Sequence, residues 1–151
     1  MDLSPDIKEY IDRSVLCWLA TASGEGQPNV SPKEIFRYFG DDAIIVANIA
    51  SPQTVRNIRK NPQVCISFID ILVQKGYQLK GRAHIVRKAD PEFPAMEKAL
   101  LEMTMGKFPF ASIIHIRIDQ AKPILAPRYR LYPDTTEAEQ IARSKKAYGL
   151  G

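Results

Sequence analysis

Apolar and polar positions change period several times along the chain. Ile7, Tyr10, Ile11 and Val15 recur at helical spacing behind Ser4-Pro5. Serine is a good cap, and proline's missing N–H costs nothing in a first helical turn. From Val15 to Thr21 the residues become β-branched and aromatic, which predicts a strand. Two glycines then make Ser23–Pro28 a tight turn. Asn29–Tyr38 reads as a returning strand, in which Pro32 lacks a ladder donor and marks an edge, a bulge or the end of pairing. Gly40-Asp41-Asp42 is a further turn and Ala43–Asn48 a short strand. Ser51-Pro52 opens a second helix through Val55 and Ile58, and Pro62 stops it. Val64–Ile69 and Tyr77–Val86 read as strands, with Gly81 a bulge or a point of close approach. Asp90-Pro91 begins a helix that runs past Met96 and Leu100 to Gly106, and the Ile113–Ile118 isoleucines mark a last strand. Lys122–Pro133 holds three prolines and is expected to be irregular; Thr135 or Thr136 caps a final polar helix ending at Gly149.

Five or six strands joined by short turns, with short helices between them, predict an antiparallel meander closed towards a barrel or sandwich, mainly β in an α+β chain. No repeat or linker divides the 151 residues, so one domain spanning 1–151 is expected.

Composition narrows the classes. Apolar residues make up 45% and charged residues 25%, as in ordinary folded proteins. The net charge of +4 is spread along the chain, which suits a small anion and argues against nucleic acid, where basic residues would cluster. No apolar run approaches the length of about eighteen residues that spans a bilayer, and the short Val15–Ala20 run follows an acidic segment, so neither a membrane span nor a signal peptide is expected. Cys17 and Cys65 sit in apolar runs and read as two reduced thiols of a cytoplasmic protein, with one disulfide the lesser reading. His84 and His115 lie within apolar strands and read as structural; without CxxC or HExxH no metal site is expected.

Candidate chemistry lies in two places. At Ser51-Pro52-Gln53-Thr54 a strand and a small-residue turn lead into a helix whose first N–H groups lack partners and carry partial positive charge. A phosphate fits there, with hydroxyls from Ser51 and Thr54, the Gln53 amide, and Arg56 and Arg59 a turn away. A plain helix cap by Ser51 is the simpler reading of composition alone. In Pro28–Lys33, Lys33 beside a strand-interrupting proline either faces an anion or guards a sheet edge. Trp18 reads most simply as core. Tyr129 and Tyr132, interleaved with Arg128 and Arg130, form either a stacking lid over a planar ligand or a cluster snorkelling over a surface or a subunit interface.

In order and spacing, Trp18-Leu19-Ala20-Thr21-Ala22, Gly24–Pro32, Ile45–Asn48, Ser51–Val64 with its Asn57-Ile58-Arg59-Lys60-Asn61-Pro62, and Lys80-Gly81-Arg82-Ala83 resemble the pyridoxamine 5′-phosphate oxidase-like family. The resemblance covers roughly residues 15 to 87. It implies a six-stranded antiparallel split β-barrel with short flanking helices, paired as a homodimer with FMN at the subunit interface. By the same resemblance Ser31, Pro32 and Lys33 flank the flavin and its ribityl chain, Ala47 and Asn48 meet the ring, Ser51, Gln53 and Thr54 hold the phosphate, and Gln78 reaches the flavin from a neighbouring strand. Family members often carry Arg-Lys where this chain has Gln53-Thr54, and the oxidase itself ends on an Arg-Leu-x-Pro segment where this chain ends Lys146–Gly151. The implied function is therefore an FMN-dependent oxidoreductase acting on a small molecule other than pyridoxamine phosphate. The alternatives are a non-catalytic flavin-binding, storage or stress-related dimer, and a deazaflavin-dependent reductase with a more basic groove. The Trp18 region and the Ile113–Ile118 strand are expected to offer apolar surface to the second subunit.

Overall fold

The computed structural model describes residues 1–151. Helix α1 (Pro5–Arg13) is capped by the Ser4 hydroxyl, which accepts from the Ile7 N–H. Strands β1 (Cys17–Ala22), β2 (Pro28–Lys33), β3 (Phe36–Phe39) and β4 (Ala43–Asn48) follow, then α2 (Pro52–Lys60), β5 (Gln63–Asp70), β6 (Lys75–Arg87), α3 (Phe93–Thr104), β7 (Ser112–Leu125), α4 (Pro127–Leu131) and α5 (Glu137–Ala147). One antiparallel sheet holds all seven strands in the order β2-β1-β5-β6-β7-β4-β3.

That order puts β2 and β3 at opposite edges, yet only Glu34 and Ile35 separate them in the chain. The sheet must therefore curl until its edges are neighbours, which is the split-barrel architecture the resemblance implies. The Ile35 carbonyl accepts from the Ala47 N–H at 3.0 Å, one step beyond the Phe36–Val46 pair, so the connection itself extends the β3–β4 ladder. The single strand expected over Asn29–Tyr38 is thus two, and the sheet has seven strands rather than six. Pro32 lies on the edge strand β2, where a missing donor breaks no ladder.

Two cores flank the sheet. Inside the curl, Leu19, Ile66, Leu79, Ile116 and their neighbours pack with Ile7, Tyr10 and Ile11 of α1, which plugs one end. Outside, α3 lays Phe93, Met96 and Leu100 on Ile45, Ala47, Val86 and Ile113. Strand β4 is covered on both faces, which is why Ala43–Ala47 is a continuous apolar run instead of an alternation. The isoleucines from Ile113 to Ile118 are fully buried in the same way, so they offer no surface to a partner.

Strand β7 also continues through Pro123 to Leu125, and α4 follows, where an irregular chain was expected. Pairing with the long β6 overrides the weak local signal: Tyr77 faces Pro123 and Lys75 faces Leu125. Helix α3 starts at Phe93 rather than at Pro91, because the Asp90 carboxylate accepts from the Arg87 N–H at 2.7 Å and closes a turn first. The Cys17 side chain faces the inner core and Cys65, three rungs along, faces out, so both thiols are free. No helix is long and apolar enough to cross a membrane.

The ladder of β6 and β7 slips by one residue between Lys80 and Gly81. A Cβ on Gly81 would meet the Arg117 carbonyl oxygen at 2.1 Å, so only glycine allows this approach. Gly81→Ala is expected to cost about 2 kcal/mol or more, read as a lower urea midpoint at unchanged slope. Gly24→Ala is the control: its Cβ would meet only the Lys60 Cβ at 3.5 Å, an ordinary contact, and the midpoint is expected to stay within about 0.5 kcal/mol of wild type.

Candidate functional site

The seam between the two sheet edges opens into a cleft of about 190 Å³. Pro32 and Lys33 line it from β2, Ala47 from β4, Ser51 from the turn before α2, and Phe108 from the loop after α3. Four residues singled out in the sequence, from three separate segments, thus meet in one place.

Lys33 faces inward and is only 7% exposed. Its ammonium donates to the Ser51 hydroxyl, and no carboxylate lies within ion-pair distance. Burial pushes its pKa below the usual lysine value, against the opposing influence of Cys17 across the ladder. The Cys17 thiol is pushed up to about 12, chiefly by burial, with Lys33 acting the other way. An edge-strand guard would point into water, so the inward ammonium rules out that reading of Lys33.

Ser51 does not cap α2. Its side chain makes no bond to the first turn; it accepts from Lys33 and donates to the Ile49 carbonyl at 3.3 Å. The first N–H groups of α2 are left without a side-chain acceptor, next to a buried cation. Ala50, just before, is held at φ 49, a left-handed conformation that an alanine adopts only at a cost.

The remaining candidates are placed as follows. The Asn48 side chain donates to the Ser112 hydroxyl at 2.8 Å, and its Oδ1 is buried without a partner. Ser31 is one residue from the cleft on β2. Thr54 is buried under α2 at 1% exposure. Gln53 lies along the helix surface, its amide donating to the Asn57 Oδ1 and its oxygen accepting from Arg56, both at 2.8 Å. Gln78 does not reach the cleft. It lies in the outer-face row Pro32–Trp18–Ser67–Gln78, three strand spacings or about 14 Å from Pro32.

Asn57 is the residue that hydrophobicity hid. It is buried and donates to the Thr21 hydroxyl at 3.0 Å, tying the α2 start to β1 through Gln53. The signal available was its position four residues after Gln53 on a predicted helix. Trp18 is 47% exposed on the outer face, not core. With Val15, Leu16, Ile69 and Ile71 it lines an apolar groove of about 650 Å³.

The cleft's features fit an anion flanked by an apolar body: a buried cation without a counter-ion, free helix N–H groups, and a wall of Pro32, Ile35, Ala47, Ile49 and Phe108. At about 190 Å³ it falls below the 300 Å³ or so of a complete site for a drug-sized ligand.

Comparison with known proteins defines the class. The family described as Pyridoxamine 5′-phosphate oxidase matches residues 3–140. The chain belongs to the pyridoxamine 5′-phosphate oxidase family. Among solved structures, HupZ of Group A Streptococcus superposes with a TM-score of 0.67 at 25% identity, over 79% of this chain and 91% of that one. An FMN-binding protein of Syntrophomonas wolfei gives 0.62 at 17% identity, over 78% and 82% of the two chains. The heme storage protein HutZ of Vibrio cholerae gives 0.59 at 23%, over 82% and 96%. No curated protein sequence matches the chain.

Lys33 makes a testable contribution to pH dependence. Its pKa is lower in the folded state than the ordinary 10.5, so the unfolded chain binds more protons between the two values. Stability gains from Lys33 as pH rises through that window towards 10.5. Tyr10, Tyr77 and Tyr129 are shifted up, mainly by burial, and act in the opposite sense above pH 10. The difference between wild type and Lys33→Met isolates the lysine. The ligand-free variant is expected to melt higher than wild type at pH 7, and the gap is expected to narrow as pH rises towards 10.5.

Proposed function

We propose that this protein binds FMN between two copies of itself, through a single domain spanning residues 1–151, and acts as a flavin-dependent oxidoreductase on a small molecule. The observation that carries the reading is the Lys33 ammonium, buried without a carboxylate beside a helix start that no side chain caps. Such a place favours a phosphate.

In this reading Lys33, Ser51 and the first N–H groups of α2 hold the phosphate. Gln53 turns its amide from Asn57 to assist them, and Thr54 supports the turn from beneath. Ser31 and Pro32 flank the ribityl chain, and the strand end at Ala47–Asn48 meets the ring largely through its backbone. The flavin supplies the hydride chemistry through its own ring. The protein's part is then to bind, orient and exclude water, which agrees with a cleft that holds no histidine.

One protomer offers too small a cleft, so a second copy completes it. The outer face supports this: Trp18, Val15 (83% exposed), Val30 (57%) and Ile71 (50%) form an apolar surface of the kind that marks an interface. Gln78, in the Trp18 row, then serves the partner's site and not its own. Two reduced thiols suit the cytoplasm. The alternative of a flavin store without turnover draws on the same cleft, whose single carboxylate, Glu34, has no general-acid partner. A deazaflavin is less suited, since Lys33 is the only cation lining the cleft.

The absorption spectrum of the purified protein is the first test. A flavin spectrum that released FMN accounts for supports the reading; a heme spectrum, or no uptake of added FMN, overturns it. Anaerobic bleaching by NADH or NADPH separates an enzyme from a store.

Two variants locate the site. Gln53→Glu places a carboxylate at the exposed rim of the helix start and is expected to weaken FMN binding at least tenfold, about 1.4 kcal/mol; in the ligand-free protein the lost Gln53–Asn57 bond opposes the gain through the helix dipole, so the fold is checked by its melting temperature. Trp18→Glu is expected to give a monomer by light scattering and to lose FMN with the interface.

A further inference from the structure

A second pocket, of about 320 Å³, lies between the end of β7, α4 and α5; it shares no lining residue with the cleft or with the Trp18 groove, although its Gln74, Ala126 and Ala147 neighbour Leu72, Ile124 and Leu150 at the far end of that groove. It is lined by Arg128, Tyr132, Gln140, Arg143 and Gln74, among others. Three observations set it apart from an ordinary surface groove. Arg128 and Arg143 both face it, and neither forms a salt bridge. The Arg128 Nε is buried and lacks a partner. Gln140 is only 5% exposed, its amide donates to the Ser144 hydroxyl at 3.2 Å, and its Oε1 is buried with nothing to accept from. A buried donor and a buried acceptor left open on one pocket are costly unless something else pairs with them.

The frame holding them is rigid. Ser144 donates to the Leu72 carbonyl at 2.7 Å, Tyr129 donates to the Val73 carbonyl at 2.7 Å, and the Ala126 N–H donates to the Gln74 carbonyl at 3.0 Å. The Arg128 guanidinium lies over the Tyr132 ring, 5.1 Å from its centroid, which fixes its plane while leaving its N–H edge free. Of the interleaved arginines and tyrosines, Arg128 and Tyr132 thus line a pocket separate from the cleft, Tyr129 is tied to the Val73 carbonyl and Arg130 is exposed.

We propose that this pocket binds a small hydroxylated organic dianion. Arg128 and Arg143 take its carboxylate or phosphate group, and Gln140 Oε1 accepts from its hydroxyl. Two guanidinium groups match two negative charges, and guanidinium forks suit the planar edges of carboxylate and phosphate alike. The single open acceptor asks for a ligand that also carries a donor.

Two matched pairs of probes test this by calorimetry on the full chain: malate against succinate, and glycerol 3-phosphate against propyl phosphate. The hydroxylated member of at least one pair is expected to bind with a submillimolar Kd and to raise the melting temperature. Its deoxy counterpart is expected to bind at least fivefold more weakly. Arg143 is exposed, so Arg143→Glu leaves the fold intact, confirmed by an unchanged melting temperature without ligand; binding is expected to fall at least tenfold. Loss on Arg143→Glu in the carboxylate pair or in the phosphate pair identifies the anion. The proposal is overturned if no probe binds with a Kd below 1 mM, about −4 kcal/mol, if Arg143→Glu binds as wild type does, or if the matched members bind equally. None of these readings depends on flavin content, so failure here is distinct from failure at the Lys33 cleft.

Discussion

Everything functional in this protein depends on a two-residue connection. Glu34 and Ile35 join strands at opposite edges of a seven-stranded sheet, and the chain cannot make that step unless the sheet rolls up. The roll turns the last residue of β2, Lys33, inward at the seam, where the sequentially remote turn before α2 brings Ser51 to meet it. A cation buried without a counter-ion is therefore a product of topology. The sheet could have been closed with an apolar residue at this position at lower cost, since burial disfavours the ammonium. Its retention is what points to a ligand.

The same closure explains why the cleft is small and one-sided. The inner face of the sheet is filled by α1 and the aliphatic core, and the outer face of β4 and β7 is filled by α3. The outer face is left bare from β2 to β6: on β1, β2 and β5 it carries Trp18 and Val30 rather than charge, and on β6 it carries Lys80, Arg82 and His84. The molecule thus has one polar corner, at Lys33 and Ser51, and one apolar face, at Trp18, and these meet at Pro32, which belongs to both.

Most elements were legible because their signals were local. Ser4-Pro5, Thr136 and Gly106 mark helix ends, and the structure uses them as such. Gly81 was legible as a bulge, although nothing local shows that Arg117 is what it must avoid. The misreadings share a cause. Trp18, read as core, is exposed, and the β7 isoleucines, expected at a surface, are buried, because hydrophobicity does not record which face of a strand is covered. Lys122–Leu125 is a strand because β6 is there to pair with it, not because of its own residues. At the site, Lys33 and Ser51 were both candidates, but their contact spans eighteen positions and the whole curl of the sheet. Asn57 was missed because a buried asparagine looks, in sequence, like any polar helix position.

The sheet order also has a consequence for synthesis. The hairpin of β3 and β4 leaves the ribosome early, but its other neighbour is β7, so Asn48 waits for Ser112, 64 residues later. Until then Ala43–Ala47, an uncharged β-prone run destined for burial on both faces, has an open edge. At elongation rates of about 5 to 20 residues per second this exposure lasts roughly 3 to 13 seconds, far longer than a hairpin takes to form. The most buried strand of the finished protein is thus the most vulnerable stretch of the nascent one, and a natural place for a chaperone to hold the growing chain.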